Sequence, residues 1–264
     1  MATLDPSRTA IELTEEELGV ATMLFATPDH PALEDPERRE TVGALERAGI
    51  AADGRVGGYP SALLAVVAEP KLTLIVERFV TERTVLERAW STELHAVWAA
   101  AAGDGAIELT PVEPTLLPWA IARAVGLGPR ASAPLDTRIS LPSSALDQAY
   151  EELAVGHREA AESVLEQRAE LDAPERRAFL DLLRDRRSSW RASSRWRDEE
   201  HGEQVSEVAV IDGGRSGLWL REYDEDAIDP TVRLTPIPPS VAWKRIVALM
   251  PAPARAGEGA GTDS

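Results

Sequence analysis

Ile107-Glu-Leu-Thr-Pro-Val-Glu-Pro-Thr-Leu-Leu117 reads without a gap against Val232-Arg-Leu-Thr-Pro-Ile-Pro-Pro-Ser-Val-Ala242. Leu109, Thr110, Pro111 and Pro114 match Leu234, Thr235, Pro236 and Pro239, and Ile121 then falls on Ile246. Each stretch predicts a short strand, a proline-marked turn and a helix opened by Pro114 or Pro239, where a missing amide proton costs nothing. A repeat of strand, turn and helix over 100 residues apart points to two halves built on one plan.

Outward from these anchors the two halves offer the same order of elements. In the first, Leu72–Phe79 alternates Leu72, Leu74 and Val76 against Thr73 and Glu77, and strand-like runs follow at Thr84–Trp90, Leu94–Ala101 and Ala106–Val112. In the second, Trp190, Ala192, Ser194 and Trp196 alternate with Arg191, Ser193, Arg195 and Arg197. Glu207–Ile211 and Gly217–Tyr223 come next, joined by Asp212-Gly-Gly-Arg-Ser216, a hairpin composition, and Thr231–Ile237 closes the set.

Helices precede each set of strands. Thr14 and Glu17 form a capping-box pair opening Glu15–Phe25. Asp35-Pro36 starts a second helix to about Ala48, and Tyr59–Ala68 is a third. In the second half Ser143 is the expected cap of Ala145–Ala154, Arg158–Glu170 follows, and Asp172 with Glu175 caps Pro174–Arg187. Helices followed by runs of strands predict an α+β fold with a central, mostly antiparallel sheet, flanked by helical bundles and shared by two halves with quasi-twofold symmetry. The expected division is residues 1–126 for the first half and 138–250 for the second, packed as one unit. The Gly-, Ala- and Pro-rich Gly126–Thr137 links them, and a disordered, low-complexity tail covers 251–264.

Composition limits the functions available. The chain has 264 residues, 45 acidic and 28 basic, for a net charge of −17, which repels nucleic-acid phosphates and anionic membranes alike. With no cysteine it has no disulfide, zinc thiolate or thiol nucleophile. Its most apolar runs, Ala62–Ala68 and Ala96–Ala102, are too short to span a bilayer, and Met1–Ile11 lacks the pattern of a signal peptide. The expectation is a cytoplasmic protein that binds neither nucleic acid nor membrane.

The segment Val208-Ala-Val-Ile-Asp-Gly-Gly-Arg-Ser-Gly-Leu-Trp-Leu-Arg221, then Val232-Arg-Leu-Thr-Pro236 and a closing helix Ser240–Met250, resembles the C-terminal region of the EspG family, the cytosolic chaperones of actinobacterial type VII secretion. Ile11-Glu-Leu-Thr-Glu-Glu-Glu-Leu18 is similar to the opening of their first helix. The resemblance covers about residues 10–250. It implies a central antiparallel sheet, two helical bundles and quasi-twofold symmetry. It also implies a client such as a PE/PPE-like pair or another helical, WXG-like secretion substrate, kept soluble and delivered for export. The chain departs from the family around Trp190–Gln204, where a glycine-containing strand is expected and a Trp- and Arg-rich one stands.

No catalytic constellation stands beside this reading. His30, His95, His157 and His201 share no metal-ligand spacing, and His201 among Glu199, Glu200 and Glu203 reads as a solvated charged loop rather than a metal site. Gly54-Arg-Val-Gly-Gly58 lacks the Gly-Lys-Ser/Thr end of a phosphate loop and reads as an interhelical turn. Ser216 sits between two strands, unlike a nucleophile elbow, which turns from strand into helix. The expectation is therefore a non-enzyme with no catalytic residues, cofactor or metal.

The seven tryptophans read first as core. On Gly217–Tyr223, however, Trp219, Arg221 and Tyr223 alternate with Leu218 and Leu220, so both faces carry contact-forming residues. Trp, Tyr and Arg dominate interface energetics. Arg191, Arg195, Arg197, Trp219, Arg221 and Tyr223 are the expected partner-binding residues, on the sheet beside the second bundle. Two readings of a binding protein remain: an EspG-like chaperone, and an adaptor of the same fold with an unrelated client.

Overall fold

The computed structural model describes residues 2–80, 83–131, 137–169, 171–198, 201–224 and 229–251. Apart from Pro251, the tail expected over 251–264 lies outside the described residues. The first half contains β1 (Thr3–Asp5), β2 (Ala10–Thr14), α1 (Glu15–Ala26), α2 (Pro36–Arg47), β3 (Ala51–Ala52), β4 (Arg55–Val56), α3 (Gly58–Ala68), β5 (Leu72–Val80), β6 (Arg83–Ser91), β7 (Ala96–Gly103), β8 (Ala106–Val112) and α4 (Leu117–Ala124). The second contains β9 (Ile139–Pro142), α5 (Ser143–Ala154), α6 (Arg158–Arg168), α7 (Ala173–Asp185), β10 (Ser188–Asp198), β11 (Gly202–Asp212), β12 (Leu218–Asp224), β13 (Thr231–Ile237) and α8 (Pro239–Val247).

Eleven strands form one antiparallel sheet in the order β1-β2-β8-β7-β6-β5-β10-β11-β12-β13-β9. From the central β5/β10 pair outward, β6, β7, β8 and β2 on one side answer β11, β12, β13 and β9 on the other. The two halves thus share a plan of strand, three helices, four strands and a helix, with β2 and β9 returning to the flanks of the sheet; the first half adds β1 at the outer edge and the small β3–β4 hairpin. Two antiparallel strands meeting at the seam are what a twofold axis perpendicular to the sheet requires. The quasi-twofold symmetry is therefore carried by the strand order itself.

The second half has one strand more than its sequence suggests, β9, and the first has four more, β1 to β4. β2 and β9 both run straight into a helix, so that Thr14 ends β2 while capping α1, and Pro142 ends β9 while standing at the N-cap of α5. Ser143, expected as the cap of α5, is its first residue, and the first turn is held instead by Asp229, which accepts from the Ser144 amide at 3.1 Å. The Thr14–Glu17 capping box is present, with bonds of 3.1 and 2.8 Å, and Glu17 also accepts from the Ala2 amide at 3.0 Å, which pins β1 to α1. The Asp172–Glu175 box holds α7 with bonds of 2.8 and 3.0 Å. Gly54-Arg-Val-Gly-Gly58 completes a small hairpin, Ala51–Val56, and leads into α3 through Gly57 at its N-cap, with Gly54 at φ +68° in the turn.

Strand alternation distributes three cores over two faces. On one face Leu74, Val76, Trp98, Trp190, Ala192, Val210 and Leu220 pack under α4 and α8. On the other, Ile11, Leu13, Trp90, Val97 and Leu109 pack under α1–α3, and Ile139, Leu141, Ile211, Trp219, Val232 and Leu234 pack under α5–α7. Each fully buried large apolar side chain contributes about 1.5–3 kcal/mol relative to exposure. The two bundles lie on one face over the two wings of the sheet, and the α4/α8 pair covers the middle of the opposite face. Among the described residues no helix is long and apolar enough to cross a membrane.

A candidate protein-docking surface between the bundles

This arrangement leaves the centre of one sheet face uncovered. Registered neighbours fix which side chains share it, because residues directly opposite in an antiparallel pair project to the same side. Arg191 faces Glu77, which faces Leu86; Ser193 faces Ile75, which faces Arg88; Ser189 faces Phe79. Across the other edge of β10, Arg191 faces Ala209, Ser193 faces Glu207 and Arg195 faces Val205, and Ala209 in turn faces Arg221 on β12. The strip thus combines β6, β5, β10, β11 and the outer end of β12.

Its apolar members are exposed: Ile75, Phe79 at 43%, Leu86, Val205 at 66% and Tyr223 at 43%. Together they are half of the exposed large apolar residues among the described ones. Such a concentration on one sheet face marks an interaction site rather than scattered surface residues. Its charges are mostly answered within the strip or by its walls. Arg191 Nε donates to Glu77 Oε2 at 2.7 Å and its guanidinium lies 3.9 Å from Glu207. Arg195 pairs with Glu203 at 3.2 Å, and Arg88 pairs with Glu15 of α1. At one end a depression of about 480 Å³ opens beside Lys71, Thr73, Arg195, Trp196 and Glu203.

Arg221 is the exception. Its guanidinium lies 4.6 Å from the Tyr223 ring centroid, and its Nε is buried with no hydrogen-bond acceptor among the described residues. Burial lowers its pKa, partly offset by Tyr150 and Asp147 on α5. Tyr150 accepts from Arg186 and carries that guanidinium 4.6 Å above its ring, while burial pushes its own pKa up. The wall of the strip on the α5–α7 side is thus an Arg/Tyr cluster.

The structure brings Arg191, Arg195, Arg197, Arg221 and Tyr223 onto one face, three on β10 and two on β12. Trp219 shares their side of β12 but is only 1% exposed, wedged beneath α5–α7 with its indole Nε1 donating to the Ser216 carbonyl at 2.8 Å. It supports the surface from below and offers no area to a partner. Sequence reading missed the apolar part, Ile75, Phe79, Leu86 and Val205. The available signal was Ile75 and Phe79, standing out of phase with Leu72, Leu74 and Val76 on a strand whose polar face should carry neither.

Other features are accounted for locally. Asp212 is buried and accepts from Arg130 at 2.8–3.1 Å and from the Gly214 amide at 2.9 Å, tying the inter-half linker to the β11–β12 turn. That bond raises the pKa of Arg130. His201 Nδ1 lies 2.9 Å from Asp198, and no cluster of three His, Cys, Asp or Glu suited to a metal occurs among the described residues. Glu199 and Glu200 lie outside the described residues.

No protein-family model and no curated protein matches the chain. Among solved structures it is similar to the Mycobacterium tuberculosis type VII secretion system chaperone EspG5, determined in complex with a PE25-PPE41 dimer. The TM-score is 0.59 at 14% identity, over 91% of this chain and 95% of that one. At that identity the likeness shows the fold. The α+β arrangement is EspG-like in extent as well as topology, which meets the expectation drawn from the C-terminal segment.

Proposed function

We propose that this chain is a non-enzymatic chaperone that holds a helical protein client on the open centre of its sheet, between the two bundles. The observation that carries this reading is the dimension and chemistry of that strip. From β6 to β11 there are three interstrand spacings, a floor about 14 Å wide, and an α-helix with its side chains is about 10–12 Å across. Exposed Ile75, Phe79, Leu86, Val205 and Tyr223 supply apolar contact, and the arginines with their carboxylate partners border it.

The likeness to a type VII secretion chaperone solved with its PE25-PPE41 client supports a secretion substrate, PPE-like or WXG-like, as the client. In this reading residues 1–126 and 138–250 act as one cytosolic unit, each half supplying one wall and half the floor. No cofactor enters the mechanism. A client with an apolar tip is stabilised in soluble form by its binding free energy alone, an amount that grows with the logarithm of chaperone concentration over Kd.

The test is recovery of the tagged protein from its host, identification of the co-purified partner, and its expression with and without this chain. The expected partner is a helical exported protein that aggregates alone, is soluble with the wild type, and is not rescued by Phe79→Thr/Leu86→Thr. A partner unconnected with export would favour the adaptor reading. Rescue undiminished by the double variant would refute the strip as the binding surface.

A further inference from the structure

The opposite face of the sheet carries a second unpartnered surface, and it differs in charge from the rest of the molecule. α4 and α8 lie side by side there, at the quasi-twofold axis. Trp119 on α4 is 63% exposed, and its ring centroid lies 4.4 Å from that of Trp243 on α8, at 43° between planes. Leu116 before α4 and Val247 at the end of α8 are exposed beside this pair. Buried Leu117, Ile121, Ala242 and Ile246, with half-buried Trp243, already anchor both helices to the sheet, so the exposed Leu116, Trp119 and Val247 are not needed for that purpose.

The same two helices contain no Asp or Glu, in a chain with 45 of them, but carry Arg123, Lys244 and Arg245, all exposed. Among the described residues Arg123 and Lys244 have no ion pair, and Arg245 has only Glu222 at 3.8 Å. Trp119 and Arg123 stand one turn apart on one ridge, as do Trp243 and Val247 on the facing ridge. The exposed indole of Trp119, set against the half-buried indole of Trp243 and flanked by unanswered cations, matches the way a surface receives an amphipathic helix, with Trp and Arg as anchors.

We propose that the α4/α8 pair is a second docking surface, which receives an acidic amphipathic helix of a partner protein. Charge complementarity selects this occupant. A second copy of this chain, related by a twofold axis through the patch, would set Arg123 and Lys244 against themselves. An anionic membrane would attract the patch but meet a body of net charge −17. A single acidic helix answers the cations locally and brings little other surface. The inference does not depend on the client strip on the opposite face, and both surfaces can be occupied at once.

The test uses the full chain and a fluorescent synthetic helix of about 18 residues, Leu-faced with Glu flanks, alongside a twin with Lys for Glu. Anisotropy should show binding of the Glu peptide that weakens with salt, and none of the Lys peptide. Trp119→Ala should weaken it about 30-fold, and Arg123→Glu/Lys244→Glu at least about tenfold, with unchanged circular dichroism. Equal binding of both peptides, no binding of the Glu peptide, or insensitivity to these variants would overturn the proposal. Binding to phosphatidylglycerol vesicles but not to the peptide would assign the patch to membrane. Self-association abolished by Trp119→Ala would assign it to a second copy.

Discussion

Arg191 and Glu77 pair across β10 and β5, Nε to Oε2 at 2.7 Å, at the seam where the two halves of the sheet meet. The pair lies in the middle of the uncovered strip, with Leu86 on one side and Glu207 on the other. Half-exposed ion pairs contribute about 0–1 kcal/mol, so its place in the molecule is better explained by what it borders than by the stability it adds. Arg191→Ala should therefore leave the urea midpoint nearly unchanged while weakening client recovery. A loss above about 2 kcal/mol would make it a structural staple instead.

Phe79→Thr and Leu86→Thr, on strands that tolerate threonine, should each change stability by about 1 kcal/mol or less. Each should nevertheless weaken client binding by about tenfold or more. Calorimetric unfolding and titration with the purified client measure the two separately. Parallel losses would mean that these side chains hold the fold rather than the partner.

Trp219→Ala should cost about 3–5 kcal/mol, the range for a fully buried aromatic truncated to alanine. Urea unfolding followed through the remaining tryptophans measures it. A stable protein with specifically lost binding would show Trp219 reachable by the client, contrary to its burial under α5–α7.

The β11–β12 turn should be the most sensitive backbone site. Asp212→Ala leaves Arg130 and the Gly214 amide without their buried acceptor and should cost about 2–4 kcal/mol. Gly214 sits at φ +57°, and an added Cβ would lie 2.9 Å from the Asp185 carbonyl, so Gly214→Ala combines backbone strain with a clash. Gly126→Ala, at φ +66° with nothing within 4 Å, carries only the strain of about 1–2 kcal/mol. Equal effects of the two glycine variants in chemical denaturation would contradict the close approach.

Acid should release one identifiable tie. The Ser144 hydroxyl donates to Asp229 at 2.6 Å, the main reason the Asp229 carboxyl titrates below its usual 3.8. A carboxyl whose pKa is lower in the folded state stabilises the fold above its unfolded pKa, and that share is lost as pH falls through the folded value. The Tm difference between wild type and Ser144→Ala should be full at pH 6 and narrow below about pH 4. A difference constant down to pH 3 would show that Ser144 acts by another route.

The sequence by itself determined the plan: four strands and a terminal helix in each half, the capping boxes at Thr14 and Asp172, and the duplicated Leu-Thr-Pro turns. These are local signals of period, cap and proline, and they need no knowledge of distant contacts. It also set Arg191, Arg195 and Arg197 on one face of their strand and Arg221 and Tyr223 on one face of theirs, because alternation fixes a side within each strand; the register of β10, β11 and β12 is what makes the two faces one. β1 to β4 and β9 escaped because two to five residues give too little alternation, and β2 and β9 also merge into the helix that follows. Only the tertiary structure decided which faces are covered. Trp219 and Phe79 are both strand aromatics two residues from a charged one on the same face, yet one lies under three helices and the other between two bundles in solvent. That outcome follows from pairing β5 with β10 rather than from either strand, since the seam sets how far apart the bundles stand and so what remains open between them.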